Sequence, residues 1–395
     1  MLPSYYEFFN PVKILSGKKA LDNLPYELDQ LGVNRPIIIS DKGVVKAGLM
    51  KHVKTAFDSS GMTIGAIYDD VPPDSSTKVV NDIVTVYREN GCDAIVAVGG
   101  GSPIDTAKGV NIVISENSND LMEFEGADRL KKPMQPFVVI PTTAGTGSEV
   151  TLAAVIKNTE KNVKMGFASH LLFPKVAILD PRMTITMPPH ITAATGMDAL
   201  THAMESYTCL QKNPLSDAYA FAAIKLISEN LCKAVEDGND ENARSAMANA
   251  STMAGAAFSN SMCGMVHALG HSVGAICHIP HGMAMSIFLP IGLEYNLEKT
   301  KKYVAELLLP FGGMEEYTKM PEERRAARTI VLVRKLQQTL HDLCGLPRNL
   351  KEAGVSRSQL ESIAQTAIND GTLTFNPLEM DEKDALNVLN EAYTW

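Results

Sequence analysis

The chain reads as an α/β domain built on a parallel sheet, residues 1–185, followed by an all-α domain, residues 186–395. Three observations predict this. The first half alternates short Val- and Ile-rich runs with polar stretches of helical spacing, the pattern of strands joined by helical crossovers. Those runs lack in-out alternation, as strands covered on both faces do. After Pro181 the strand signals stop, and Ala-, Leu- and Met-rich segments of helical spacing continue to the end. A length of 395 residues favours two cores over one, and 45% hydrophobic with 21% charged residues is the balance of a folded protein.

The expected strands fall at residues 35–41, 62–70, 92–101, 136–143 and 175–181. Pro188 and Pro189 open the helical half, so the boundary is set at 182–190. No repeat or low-complexity linker separates the halves, which predicts direct packing and a ligand cleft between them. Residues 245–293 contain no Lys, Arg, Asp or Glu. Asn249, Asn260, four histidines, Pro280 and several glycines nevertheless interrupt the stretch, leaving no run of about 20 apolar residues. A buried helical core is expected there rather than a membrane span.

Lys and Arg total 36 against 45 Asp and Glu, a net charge of -9 with no basic run, which argues against a nucleic-acid partner. The six cysteines form no C-x-x-C pair, and the opening MLPSYYEFFNPVKILSG lacks the basic-then-apolar build of a signal peptide. A reducing cytoplasm is the expected setting.

Gly99-Gly100-Gly101-Ser102-Pro103-Ile104-Asp105 follows one strand and opens a helix, with Ser102 expected at the N-cap, Pro103 at the first helical position and Asp105 closing a capping box. Such a turn lets backbone N–H groups approach a phosphate, although it can equally join strand to helix without a ligand. Its spacing also departs from the G-x-G-x-x-G fingerprint, because the acidic residue comes first. Asp41, at the end of an earlier strand, is placed to accept from an adenosine ribose and to disfavour a 2′-phosphate, or else is a solvated turn residue. The loop 141–149 adds four hydroxyls (Thr142, Thr143, Thr146, Ser148) and two glycines after another strand. Two such loops at strand carboxyl ends point to a ligand edge.

Asp198 and His202 stand four residues apart on an expected helix, hence on one face, either as two metal ligands or as a simple hydrogen-bonded pair. His267 and His271 repeat the spacing inside the charge-free stretch, and His281 follows Pro280. An unpaired buried polar group costs about 1–3 kcal/mol. Several histidines in one uncharged core are therefore better explained by a shared ion, and three imidazoles with one carboxylate suit Fe(II), Zn or another first-row divalent metal.

The ordered set GGGSPIDTAK, PTTAGTGSE, GMDALTHAMESY and HALGHSVGAICHIPHG resembles the iron-dependent (group III) alcohol dehydrogenases over nearly the whole chain. The resemblance implies an α/β dinucleotide-binding domain, an all-α metal-binding domain and hydride transfer between a small primary alcohol, diol or aldehyde and a nicotinamide. It implies Asp198, His202, His267 and His281 as ligands of one divalent metal, Fe(II) favoured over Zn, with His271 beside them as a non-ligand for proton transfer or substrate contact, here the candidate for relaying the alcohol proton. It places Asp41, Gly99, Gly100, Gly101, Ser102, Thr142, Thr143, Thr146 and Lys164 along the cofactor, NAD rather than NADP. A homodimer or larger homo-oligomer is also implied.

Two positions depart from the family pattern: Val71-Pro72-Pro73-Asp74 replaces a common Pro-Asn-Pro, and Met285 stands where many members have Asn. The alternative enzyme class is a metal- and NAD-dependent lyase or cyclase of the dehydroquinate synthase type, which would need Lys and Arg around the metal. Ala153, Phe258, Met262, Cys263, Met265 and Met285 suggest an uncharged pocket, hence a neutral aliphatic substrate, unless they are simply core.

Overall fold

The computed structural model describes residues 3–58, 60–73, 75–158 and 163–394. It divides into two compact units, Phe9–Thr186 and a second made of Met187–Trp395 with the first eight residues.

In the first unit, β1 (Lys13–Ser16), β2 (Pro36–Ile39), β3 (Ala66–Tyr68), β4 (Ala94–Gly99), β6 (Phe137–Pro141) and β9 (Val176–Leu179) form one six-stranded sheet, and β5 (Gly126–Ala127), β7 (Ala153–Asn158) and β8 (Val163–Ala168) a smaller one. The large sheet is parallel throughout, in the order β1-β9-β6-β4-β2-β3. Its central strands are apolar on both faces because both faces are covered. Ile37, Ile39, Ile95, Ala97, Phe137 and Val139 enter one core, while Ile38, Val96, Val98, Val138, Ile140 and Ile178 enter the opposite one.

From β2 the chain runs outward to β3, then returns to the other side of β2 for β4 and continues toward β6 and β9. The order thus reverses between β2 and β4, the kind of switch point where open α/β sheets take ligands outside the strand carboxyl ends. Asp41 follows β2 and Gly99 ends β4, so both stand at this point.

Beyond residue 186, no strand occurs among the described residues. Each helix takes the name of its first residue. The Pro189 helix (Pro189–Thr208), the Pro214 helix (Pro214–Glu236) and the Glu241 helix (Glu241–Ser261) pack together, followed by the Met265 helix (Met265–Cys277) and the His281 helix (His281–Tyr295). The charge-free stretch forms most of the last three. Leu269, Val273, Ile287 and Phe288 from it join Leu360, Ile363, Val388 and Leu389 from two C-terminal helices in one core. No helix of the described residues is long and apolar enough to cross a membrane.

One glycine sets the spacing between two of these helices. A Cβ at Gly282 would lie 2.3 Å from the Ala194 carbonyl oxygen, so only glycine lets the start of the His281 helix press against the backbone of the Pro189 helix. That approach brings His281 within 3.3 Å of Asp198.

Candidate functional site

At the switch point the register Gly99↔Pro141 sets the two loops side by side, and the Thr142 N–H donates to the Gly99 carbonyl at 3.0 Å. A Cβ on Gly100 would meet Thr143 Oγ1 at 3.1 Å, and one on Gly101 would meet Thr146 Cγ2 at 3.2 Å. The glycines therefore allow close packing of one loop on the other. Asp41 caps its own short helix by accepting from Val44 N–H at 2.9 Å, and its Oδ2 would lie 3.3 Å from a Cβ at Gly99. Lys164 is exposed on β8 of the smaller sheet.

The helix after the triglycine spans Gly101–Glu116 with Gly100 at its N-cap, so it begins earlier than expected and Ser102 lies within its first turn. Ser102 Oγ instead donates to the Pro73 carbonyl, and Ser75 Oγ donates back to the Ser102 carbonyl at 2.8 Å. Asp105 does not close a capping box; it accepts from Ser148 Oγ at 2.9 Å and Val155 N–H at 3.0 Å. The departure at Val71-Pro72-Pro73 thus still meets the first turn of this helix, while Asp74 lies outside the described residues.

Below these loops Lys108 is fully buried, yet its ammonium meets five acceptors. They are the Ser148, Thr151 and Ala153 carbonyls and the Ser148 and Thr151 hydroxyls, at 2.7–3.2 Å. Burial pushes its pKa down to about 8 despite the opposing pull of Asp105 and Glu149. The lysine pins the second half of the hydroxyl loop to the helix, a link that the sequence signals only through the Lys ending GGGSPIDTAK.

In the second unit, Asp198, His202, His267 and His281 each offer a ligand atom, all within 4.8 Å of one another. Asp198 and His202 come from one face of the Pro189 helix, His267 from the Met265 helix and His281 from the start of the His281 helix. Asp198, His202 and His267 are buried, while His281 keeps 38% side-chain exposure, so the cluster is open on one side. Phe258 stacks on the His202 ring at 4.2 Å between centroids.

Burial disfavours charge on all three buried groups. It lowers His202 to about 3 and His267 well below the usual imidazole range. Burial also works against the Asp198 carboxylate, but the neighbouring His202 and His281 outweigh it and hold the group below the usual range. Asp198 Oδ1, His202 Nδ1 and His267 Nε2 are buried without a hydrogen-bond partner. Three converging orphaned donors, one of them a carboxylate, fit a divalent cation, which would repay their desolvation.

His267 Nδ1 faces Glu205 Oε2 at 2.5 Å, and that carboxylate also accepts from Val266 N–H at 2.8 Å. Burial raises Glu205 to about 7 against the pull of those backbone N–H groups. Cys263 lies close by, its sulfur within 4.8 Å of Glu205 and His267 donor atoms. His271 is 44% exposed on the same helix as His267, and its Nδ1 lies 2.8 Å from Asp370 Oδ2. Its ring is stacked 5.3 Å from that of His281.

Sequence reasoning finds neither Glu205 nor Asp370. Glu205 stands three residues after His202, a helical neighbour that spacing could have flagged. Asp370 is 99 residues from His271 and carries no local signal. Of the suggested pocket residues, Met265 and Met285 are wholly buried in core, Met285 filling the space above Gly270. Met262 ends the Glu241 helix with φ 70° and ψ -177°, a backbone region that side-chain-bearing residues rarely occupy.

The chain matches two family models, "Iron-containing alcohol dehydrogenase" over residues 11–181 and "Fe-containing alcohol dehydrogenase family, C-terminal" over residues 192–393. It is 36% identical over 388 residues to the NAD-dependent methanol dehydrogenase of Bacillus methanolicus, covering 98% of this chain and 99% of that protein. Identity to the 1,3-propanediol dehydrogenase of Klebsiella pneumoniae is 35% over 390 residues, covering 98% and 99%. The solved structure of a 1,3-propanediol oxidoreductase superposes with a TM-score of 0.94 at 35% identity, covering 98% of this chain and all of that one. These matches favour alcohol dehydrogenase chemistry over the dehydroquinate synthase type.

Proposed function

This chain belongs to the iron-containing alcohol dehydrogenase family, and from that premise we propose that it interconverts small neutral primary alcohols or diols and their aldehydes with NAD as hydride carrier. The observation that carries the reading is the convergence of Asp198, His202, His267 and His281, three of which bury an unpartnered donor atom. These four residues are assigned as the ligands of one divalent ion, Fe(II) ahead of Zn. Residues 1–185 are assigned to the dinucleotide and residues 186–395 to the metal and the chemistry. The same reading makes the protein cytoplasmic, without nucleic-acid partners, and a homodimer or larger homo-oligomer.

When bound, the ion supplies Lewis acidity toward the substrate oxygen and the nicotinamide accepts hydride. The remaining work belongs to the chain. Gly99, Gly100, Gly101 and Ser102 present a helix N-terminus to the pyrophosphate, with Thr142, Thr143 and Thr146 alongside and Lys164 as a further contact. Asp41 offers its carboxylate to the adenosine ribose and repels a 2′-phosphate. His271, exposed beside the cluster and held by Asp370, is placed to take the alcohol proton and pass it to water. Phe258 presents an aromatic surface against His202, in keeping with an uncharged substrate.

The test is NAD-linked oxidation of short alcohols and diols by anaerobically purified protein, with metal quantified in the wild type and in His267→Ala. Activity should track one metal per chain and fall at least about a hundredfold in the variant, beyond the loss typical for an outer-shell partner. Full metal occupancy with no hydride transfer would overturn the proposal. A carboxylate-bearing aldehyde reduced far better than butanal would overturn the substrate class alone.

A further inference from the structure

Most of the buried polar groups around the donor cluster belong to the proposed ligands themselves, but Glu205 does not. Its carboxylate is nearly sealed, with 5% of the residue exposed, and it meets two groups on a different helix. Oε1 accepts the Val266 N–H at 2.8 Å, and Oε2 lies 2.5 Å from His267 Nδ1. With Oε1 already accepting from Val266 N–H, the arrangement in which His267 Nδ1–H donates to Oε2 leaves the imidazole lone pair on Nε2. Nε2 is the buried atom left without a partner.

The backbone contact has its own logic. The Met265 helix starts at Gly264, which has no side chain to cap the first N–H groups. Two imported side chains do so instead. Asn376 Oδ1 accepts from Met265 N–H at 3.0 Å, and Glu205 accepts from Val266 N–H. A Cβ at position 264 would lie 2.6 Å from Asn376 Oδ1 and 3.2 Å from Glu205 Oε1, so the glycine leaves room for both. Glu205 therefore ties the helix bearing Asp198 and His202 to the helix bearing His267 and His271.

We propose that Glu205 is the positioning residue that sets how tightly the metal is held, by fixing His267 in the tautomer and orientation that aim Nε2 at the other three donors. The proposal rests on the metal reading above. A carboxylate acceptor on the far nitrogen also raises the basicity of the near one, and removing such a partner typically weakens metal affinity by about 10- to 100-fold.

Glu205→Gln discriminates the idea because it preserves volume and can still accept from Val266 N–H. Its remaining group on the His267 side is then an amide N–H₂, which favours a proton on Nε2 and a lone pair on Nδ1. In the full-length protein, chelator competition with Zn²⁺ should give affinity about 10- to 100-fold weaker than wild type. Imidazole ¹⁵N spectra of metal-free protein should show the His267 proton moving from Nδ1 to Nε2. Asn376→Ala removes the companion cap without touching His267; it should lower thermal stability while changing Zn²⁺ affinity by less than about threefold.

If Glu205→Gln binds Zn²⁺ as the wild type does, the proposal fails, and so it does if Asn376→Ala weakens binding equally, because helix anchoring would then explain both. Equal loss in Cys263→Ser would also overturn it, by making the thiol, rather than the imidazole's orientation, the determinant. Failure of the underlying reading looks different: wild type and His267→Ala would then bind Zn²⁺ alike.

Discussion

The two polar centres of this chain solve burial in opposite ways. Around the glycine and hydroxyl loops, polar groups satisfy one another: Lys108 meets five acceptors, and both Asp105 oxygens are occupied. Among the described residues, no buried side-chain nitrogen or oxygen of the unit Phe9–Thr186 lacks a partner. Around Asp198, His202 and His267 the converging atoms are left unmatched. A site that takes a large ligand through backbone N–H groups can be built complete beforehand. One proposed to take a bare ion must hold its donors together unsatisfied, supported only from outside by a group such as Glu205.

That contrast can be pushed hardest at Asp370. Its Oδ1 accepts from the Thr372 backbone and hydroxyl, and its Oδ2 holds His271 Nδ1. Burial opposes its charge, but the His271 contact outweighs this and keeps it ionised below the usual carboxylate range. Asp370→Asn should lower kcat by about 100-fold, the lower end of a lost general acid–base contribution, with metal content unchanged. Metal loss in this variant, measured on the same sample, would mean that Asp370 supports the ligand set instead of the proton path.

A smaller effect should come from the self-satisfied side. In Gly100→Val the new side chain displaces Thr143 from its 3.1 Å approach, and NAD should bind about tenfold more weakly, equivalent to about 1.4 kcal/mol. Metal affinity should be untouched. Titration calorimetry with NAD and a metal assay on the same protein separate the two centres, and a joint loss would erase the distinction between them.

The last effect is one of stability and pH. Below pH 8 Lys108 is protonated in folded and unfolded chains alike, and the folded state bears the full cost of burying the charge. As pH rises from about 8 toward 10.5, the folded form gives up its proton first, so stability contributed at this residue increases and then levels off. Relative to Lys108→Met, wild type should gain up to roughly 3 kcal/mol across that window. Urea unfolding of both proteins at pH 7.5 and 10 checks the sign; a constant difference would show that the ammonium stays charged inside.

Four strands of the large sheet, β2, β4, β6 and β9, are legible in the sequence because Val- and Ile-rich runs buried on both faces leave an unbroken apolar signature, and the partly exposed β3 is legible only as a short apolar run. Strand β1 is not, since Lys13–Ser16 is a largely exposed edge with no such run. The β7–β8 pair escapes for a different reason. Ala154, Ile156 and Asn158 point inward between more exposed neighbours, so its six-residue strands carry only a period-two trace. Among site residues, the ligand-type side chains are readable from residue type and helical spacing. Their supports are not: Glu205 passes for an ordinary helical glutamate, and Asp370 is joined to His271 only by the fold. The misplaced cap at Ser102 has a similar origin, because Pro103 suits the first turn anywhere in it, and only the packing against Thr143 and Thr146 fixes where the turn begins.

Lys108 has a practical consequence for watching this protein move. With no surface of its own in the folded structure, its amine is beyond the reach of acylating reagents that modify exposed lysines. Once water reaches it, the burial that suppresses its charge is gone and it reacts as an exposed lysine does. Its rate of labelling, read by mass spectrometry against surface lysines in the same digest, would therefore time the opening of the loop that it pins, and slowing by added NAD would report how strongly the dinucleotide holds that loop shut.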